Sequence, residues 1–389
     1  LNFSSAELLV GSAFLSAIKL TCCNGSHFYG VILSPLGAKD LACSAAMFGA
    51  DSVQSTCMPT TVRSFAKINI GLCIGARRPD GFHELRTLYQ TIGLHDRVTV
   101  TVSKGAGIEL HCNTPGVPLD ESNTCWRIVE RAMALLATPG RVRIEIEKQL
   151  PVQGGLGGAS SNAVAALLAV EHELKRELPL ADKFGLAAEV GSDLPLFLIG
   201  GTVLGVGRGE EVYPLPELPA TACVLATPGI AVSTPQAFAD WDRTQEQDKL
   251  TGCFPSDRIN VFCSAIFSGL NGFLSRPRNA AGRHSSGVPA AEGRGRAETQ
   301  LLDLVRTGIA NDFEQVVFPQ HPELAKVKAI LQDEGAIFAS LSGSGSAVYG
   351  LFATRNAAKA AAQRIQAQGV RAQLTSTVSR KEYWEQLLV

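Results

Sequence analysis

The run Pro151, Val152, Gln153, Gly154, Gly155, Leu156, Gly157, Gly158, Ala159, Ser160, Ser161 holds four glycines between positions 154 and 158. Glycines let main-chain N–H groups approach an anion, and the helical pattern that follows offers its positive end to the same spot. Two common phosphate-loop patterns fail here. No Lys closes a G-x-x-x-x-G-K-[ST] motif, and Gly155-x-Gly157-x-x-Ser160 lacks the last glycine of a dinucleotide fingerprint. The run is a candidate phosphate cradle or simply a tight turn. Ser160 and Ser161 either cap the helix or turn their hydroxyls toward phosphate oxygens or a metal.

A phosphate loop without its own Lys needs positive charge from elsewhere. Lys67 is the candidate, since a period-two pattern places it beside Asn69, opposite the apolar Ile68 and Ile70. The alternative is a solvated strand lysine. Asp193, in Gly191-Ser192-Asp193-Leu194-Pro195, either caps the next turn or accepts a proton from a substrate hydroxyl. A Lys close by would keep that carboxylate ionised. Ser342-Gly343-Ser344-Gly345-Ser346 is a second glycine turn, weak by itself. Gly81-Phe82-His83-Glu84 begins like a zinc motif, but Thr87 stands where H-E-x-x-H requires its second His. His83 is then a neutral donor or a packed core histidine, and no structural metal is expected.

The elements that must position these groups follow from periodicity. Val62, Ala66, Ile68, Ile70 and Leu72 predict a half-buried strand; Val98 to Val102 and Val142 to Ile146 predict two more. Trp126, Val129, Met133 and Leu136 predict a helix stopped by Pro139-Gly140, and a second helix, roughly 160–174, follows the glycine run. Thr202 to Val206 forms a short segment after a glycine turn, and Ala222 to Ala226 begins a fresh strand. Helical patterns lie near 301–317 and 321–333, a strand pair flanks Ser342 to Ser346, and a last helix is expected near 356–368.

With 389 residues, 46% of them hydrophobic and 18% charged, the chain has material for a full core and room for two domains, which excludes a disordered or fibrous protein. A formal charge of −1 supplies no global field for nucleic acid or anionic membrane, so an anionic ligand must be held by local geometry. The 10 cysteines include no C-x-x-C pair and are sparse for a disulfide scaffold, so reduced thiols and a cytoplasmic location are expected. Residues 1–57 are poor in charge and read as upstream sequence or an ill-defined extension. Residues 275–299, rich in Arg, Ala, Gly and Ser, read as a flexible insertion.

Taken together and in order, Ala66-Lys67-Ile68-Asn69, Gly81-Phe82-His83-Glu84-Leu85, the 151–162 run, Gly191 to Pro195 and Leu341 to Gly345 resemble the GHMP kinase superfamily. Within it they resemble the branch acting on a cytidine-diphosphate-linked methylerythritol. The resemblance runs from about residue 58 to 352. It implies an α+β fold of two halves: an N-terminal ATP-binding domain over 58–218, like ribosomal protein S5 domain 2, and a ferredoxin-like C-terminal domain over 219–389. It implies ATP as phosphoryl donor, with Mg2+ accompanying it, and a small-molecule acceptor phosphorylated on its 2-hydroxyl for isoprenoid precursor synthesis.

Under the same resemblance Asp193 is the general base and Lys67 its orienting cation. Asn69 holds the sugar alcohol, residues 151–161 wrap ATP, and Phe82 and His83 meet the cytosine. Phe238 is a candidate for the other stacking face, and Asn311-Asp312 fits the family's run without a catalytic task. Phe82 stands where the family usually has Tyr, and Gln153 and Ala159 replace small residues or glycine. Competing expectations are a homoserine- or mevalonate-type kinase, for which a base pocket has no use, and an inactive ligand sensor, which would have lost the lysine or the base.

Overall fold

Two long strands, β1 (Thr60–Arg77) and β2 (His83–Ser103), form the hairpin on which the first half is built. Its turn is fixed locally: Gly81 takes a positive φ of 87°, and the Asp80 carboxylate accepts the N–H of Phe82 at 3.1 Å. The computed structural model describes residues 59–249 and 310–389. The expectations for residues 1–57 and for an insertion at 275–299 lie outside these described residues.

The hairpin is extended by β3 (Gly107–Cys112), α1 (Thr124–Leu135), β4 (Arg141–Glu147), α2 (Gly158–Leu174), α3 (Leu180–Val190), α4 (Leu194–Phe197), β5 (Thr202–Val206) and β6 (Glu211–Pro214). The strands make a six-stranded sheet in the order β3-β4-β2-β5-β6, with β1 on the other flank of β2 and only β3–β4 parallel. Then come β7 (Ala222–Thr227), α5 (Thr234–Lys249), α6 (Glu314–Gln320), α7 (Pro322–Asp333), β8 (Phe338–Leu341), β9 (Val348–Phe352), α8 (Arg355–Ala367), β10 (Arg371–Ser376) and α9 (Arg380–Gln386). The second sheet, β10-β7-β9-β8, is antiparallel throughout, and its last strand lies beside its first, the order of a ferredoxin-like half. The whole is α+β, as expected.

Strand periodicity sorts the side chains into layers. On β7 and β9, Val224, Ala226, Val348 and Phe352 face the helices of the second half. The alternate residues Cys223, Leu225, Tyr349 and Leu351 meet Ala66, Ile68, Ile70, Leu88 and Ile92 of the first sheet. The order of layers is therefore helices, sheet, sheet, helices. Sandwiched in this way, β1 is buried continuously from residue 64 to 75 rather than half-buried as the alternation suggested. A bulge between Phe65 and Ala66 also breaks the expected parity: Val62 packs with the helical layer and Ala66 between the sheets.

Residues 378–389 return to the first sheet. Val378, Tyr383 and Leu387 join its helix-side core, the Tyr383 hydroxyl donates to the Phe197 carbonyl at 2.7 Å, and Val389 N–H donates to Thr61 O at 3.0 Å. Among the described residues no helix is long and apolar enough to cross a membrane. Among the described residues Cys112, Cys125 and Cys223 are thiols outside any disulfide, and burial pushes Cys125 and Cys223 up to about 12, so both stay protonated and unreactive.

Candidate active site

The glycine run lies between the two sheets and is held from both sides. Lys67 N–H of β1 donates to Leu156 O at 3.0 Å. On the opposite side the Ser342 hydroxyl donates to Gly155 O at 3.0 Å, and Ala347 N–H to Gly154 O at 3.2 Å. The approach leaves no room for side chains: a Cβ on Gly155, where φ is +74°, would stand 2.0 Å from Ser342 O. The second glycine turn thus serves as a backing for the first. Gly155→Ala is expected to cost about 1–3 kcal/mol, because both the left-handed backbone and the backbone contact oppose it. A thermal melt of the variant within a degree of the parent would contradict this packing.

Helix α2 starts at Gly157, which caps it in a left-handed conformation with no side-chain cap bond. Neither Ser160 nor Ser161 is therefore the cap of this helix. Ser161 is buried, whereas Ser160 lines the cleft. Ala159 sits inside the helix, where an L-residue is at ease. Gln153 is different, with φ at 60° and its side chain exposed. Holding a non-glycine residue there costs roughly 1–2 kcal/mol, which explains why glycine suits the position.

Lys67 is buried, with 4% of its side chain exposed, and its ammonium donates to Asn69 Oδ1 at 2.7 Å. Asn69 in turn donates to Thr87 Oγ1 at 2.7 Å, and that hydroxyl donates to Gly71 O at 2.8 Å. The chain of bonds fixes both side chains from neighbouring strands. Asp193 Oδ2 lies 3.4 Å from Lys67 Nζ, so the two residues, separated by 126 positions, converge. Asp193 precedes α4 but makes no cap bond, and its carboxylate is free to face the cleft. Its other oxygen accepts the Tyr89 hydroxyl at 3.0 Å.

Tyr89 was not singled out by sequence. The signal was available in the alternation of Thr87, Tyr89 and Thr91 along β2, but only the strand register, Asn69 opposite Tyr89, brings the ring beside the lysine. Burial, then the Asp193 and Glu210 charges, hold the Tyr89 phenol well above its ordinary value, so it remains a donor. Tyr89→Phe should lower kcat about tenfold and leave KM for either substrate within about twofold, the scale of one hydrogen bond to a charged group that orients rather than binds. Steady-state kinetics at saturating ATP would reveal it; an unaltered kcat would demote Tyr89 to packing.

An open cleft of about 670 Å3 runs from Lys67, Asp193 and Ser160 to Phe82, His83, Phe238 and Asp242. His83 is buried and shares a hydrogen bond of 2.7 Å with Asp242 through Nε2. Its ring stacks directly on Phe238, with centroids 5.0 Å apart and planes 7° from parallel, and Phe313 meets Phe238 edge-on. A base has no room between His83 and Phe238 as they stand, so the second stacking face is not supplied across that pair. Phe82 is 52% exposed beside them. Pro151, Val152, Gln153 and the remaining loop residues also line a second cavity of about 390 Å3 on the far side, with Asn123, Cys125 and Lys148. Both cavities meet at Gly155, Gly157 and Ser160. The arrangement can hold a nucleotide on one side of the loop and present its terminal phosphate to a hydroxyl beside Asp193.

Comparison with known proteins adds an independent line. Residues 123–201 match the family described as GHMP kinases N terminal domain, and residues 296–371 match GHMP kinases C terminal. A 4-diphosphocytidyl-2-C-methyl-D-erythritol kinase of Solibacter usitatus is 38% identical over 309 residues, covering 78% of this chain and 84% of its own. The enzyme of that name from Acaryochloris marina is 34% identical, covering 79% of this chain and 91% of its own. A crystal structure of 4-(cytidine 5'-diphospho)-2C-methyl-D-erythritol kinase superposes with a TM-score of 0.58 at 29% identity, over 82% of this chain and 98% of its own. A homoserine kinase from Cytophaga hutchinsonii superposes with a TM-score of 0.60 at 20% identity, over 84% and 96%, a likeness of fold alone.

Proposed function

We propose, since the chain belongs to the GHMP kinases and within them to the 4-diphosphocytidyl-2-C-methyl-D-erythritol kinases, that it moves the γ-phosphoryl group of ATP onto the 2-hydroxyl of that cytidine-diphosphate-linked alcohol. It is an ATP-dependent small-molecule kinase. The observation that carries the assignment of roles is the convergence of Lys67 and Asp193 at one end of a cleft whose other end is aromatic.

Asp193 takes the hydroxyl proton as the oxygen attacks phosphorus, and Lys67, 3.4 Å from that carboxylate, orients it and offsets charge growing on the acceptor oxygen. Asn69 fixes the ammonium and reaches the sugar alcohol; Tyr89 fixes the carboxylate. Residues 151–161 wrap the phosphates, with main-chain N–H groups of the glycine run between Pro151 and Ser161 as the donors, and the cavity beside Asn123 and Lys148 takes the nucleoside. Mg2+ accompanies ATP in this reading. The phosphates and water would supply most of its ligands, and the Ser160 hydroxyl, in the lining common to both cavities, would join them. Phe82 and the stacked His83–Phe238 pair line the end of the cleft that receives the cytosine, which does not enter between His83 and Phe238. The division into halves at 218/219 belongs to the same proposal, with residues 378–389 returning to the first half.

A phosphorylation assay with three alcohols tests the reading. The cytidine-diphosphate-linked methylerythritol should be turned over, with homoserine and mevalonate at background. Comparable kcat/KM on either of the latter would overturn it.

A further inference from the structure

The acceptor named above carries two phosphates between its cytosine and its alcohol, and the roles assigned so far leave them unheld. Three arginines stand at the aromatic end of the cleft. Arg78 is occupied, paired with Asp80 at 3.2 Å and with Glu84 at 3.0 Å. The guanidinium of Arg77, which lines the cleft, makes no hydrogen bond or ion pair with another described residue. Arg208, also on the cleft, donates through Nε to Glu210 Oε1 at 3.0 Å, and its Cζ lies 5.0 Å from the centre of the Phe82 ring.

Topology brings Arg77 and Arg208 to the two flanks of one short segment. Arg77 is opposite His83 in the β1–β2 register, and Leu85 N–H, two residues further along β2, donates to Gly207 O at 2.6 Å. Glu210 holds the Arg208 guanidinium through Nε while its Cζ stands over the Phe82 ring, which leaves its remaining N–H groups for another acceptor. The Glu210 carboxyl is held below its ordinary value: burial, the largest influence, raises it, but the hydrogen bonds from its own and Arg208's N–H groups and the guanidinium prevail. A guanidinium that is braced yet has open donors is suited to phosphate oxygens.

We infer that Arg77 and Arg208 form a diphosphate clamp, binding the linker of the acceptor between the His83 end and the Lys67–Asp193 end. The clamp rests on the proposed function, and it also gives Phe82 a part: the exposed ring, lacking a hydroxyl, is the platform on which Arg208 lies.

Calorimetric titration of the full chain with cytidine and with cytidine diphosphate tests the clamp. The parent should prefer the diphosphate, and Arg77→Ala and Arg208→Ala should each shrink that preference by about tenfold, the scale of one hydrogen bond to a charged group. Arg208→Lys should retain part of it, keeping the charge while losing the planar fork. A purely structural part for Arg208, through Phe82, would weaken both ligands alike and leave their ratio unchanged. An unchanged ratio in both alanine variants, or a parent with no preference, overturns the clamp and leaves the proposed function standing. A parent that binds neither ligand and does not phosphorylate the cytidine-linked alcohol overturns both.

Discussion

Asp193→Asn is expected to lower kcat by roughly 10²- to 10⁴-fold, the contribution of a positioned general base, with ATP affinity changed by less than about threefold. The substitution keeps the shape and still offers Tyr89 an acceptor at 3.0 Å, so the side chain has no reason to leave its place. What is lost is the basic lone pair and the charge facing Lys67 Nζ at 3.4 Å. With a third of the Asp193 side chain exposed, the ion pair is partly screened and little stability is at stake. The fall should therefore appear in kcat and kcat/KM together, as for a group used chiefly in the transition state. Single-turnover rates that match the parent would remove Asp193 from proton transfer.

Lys67→Met should reduce kcat by about 10²- to 10³-fold, comparable to removing a preorganised donor from a developing oxyanion. Methionine is chosen because the stem of Lys67 packs tightly: its Cγ is 3.1 Å from where a Cβ on Gly157 would be. A shorter side chain would open a void beneath the glycine run and confuse loss of charge with loss of support. The variant leaves Asn69 Oδ1 without its donor and Asp193 without its cation, so it should melt a few degrees lower yet remain folded. A rise in KM for ATP at constant kcat would instead assign Lys67 to ground-state binding of the nucleotide.

Much of this was legible in the residues, and the limits have physical causes. Local signals, such as the helix from Trp126 to Leu136 or the strands on either side of Ser342 to Ser346, depend on a few neighbouring side chains and were readable. The parity of β1 was not, because the bulge at Phe65/Ala66, where the partner on β2 jumps from His95 to Ile92, reverses the face of the residues before it. Strand β10 and helix α9 passed unnoticed: Arg371 to Ser376 alternates weakly, and the signal for α9 is a capping box at Ser379 and Glu382 rather than an apolar stripe. At the site, Lys67 and Asp193 stand out by residue type in telling surroundings. Tyr89, Asp242, Arg77 and Arg208 acquire their places only from register and from the packing of one half on the other, which no short window contains. The direct stacking of His83 on Phe238 belongs with these.

The return of residues 378–389 to the first sheet bears on synthesis. Tyr383 and its acceptor Phe197, four residues beyond Asp193, are 186 positions apart. On a ribosome adding about 5–20 residues per second, that interval lasts roughly 10–40 s. Throughout it the half bearing the lysine and the carboxylate has an uncovered apolar face, although every residue of its catalytic pair has already emerged. The nascent polypeptide is thus exposed to aggregation and to chaperone capture while those 186 positions are made, and residues 378–389 act as the closing clasp.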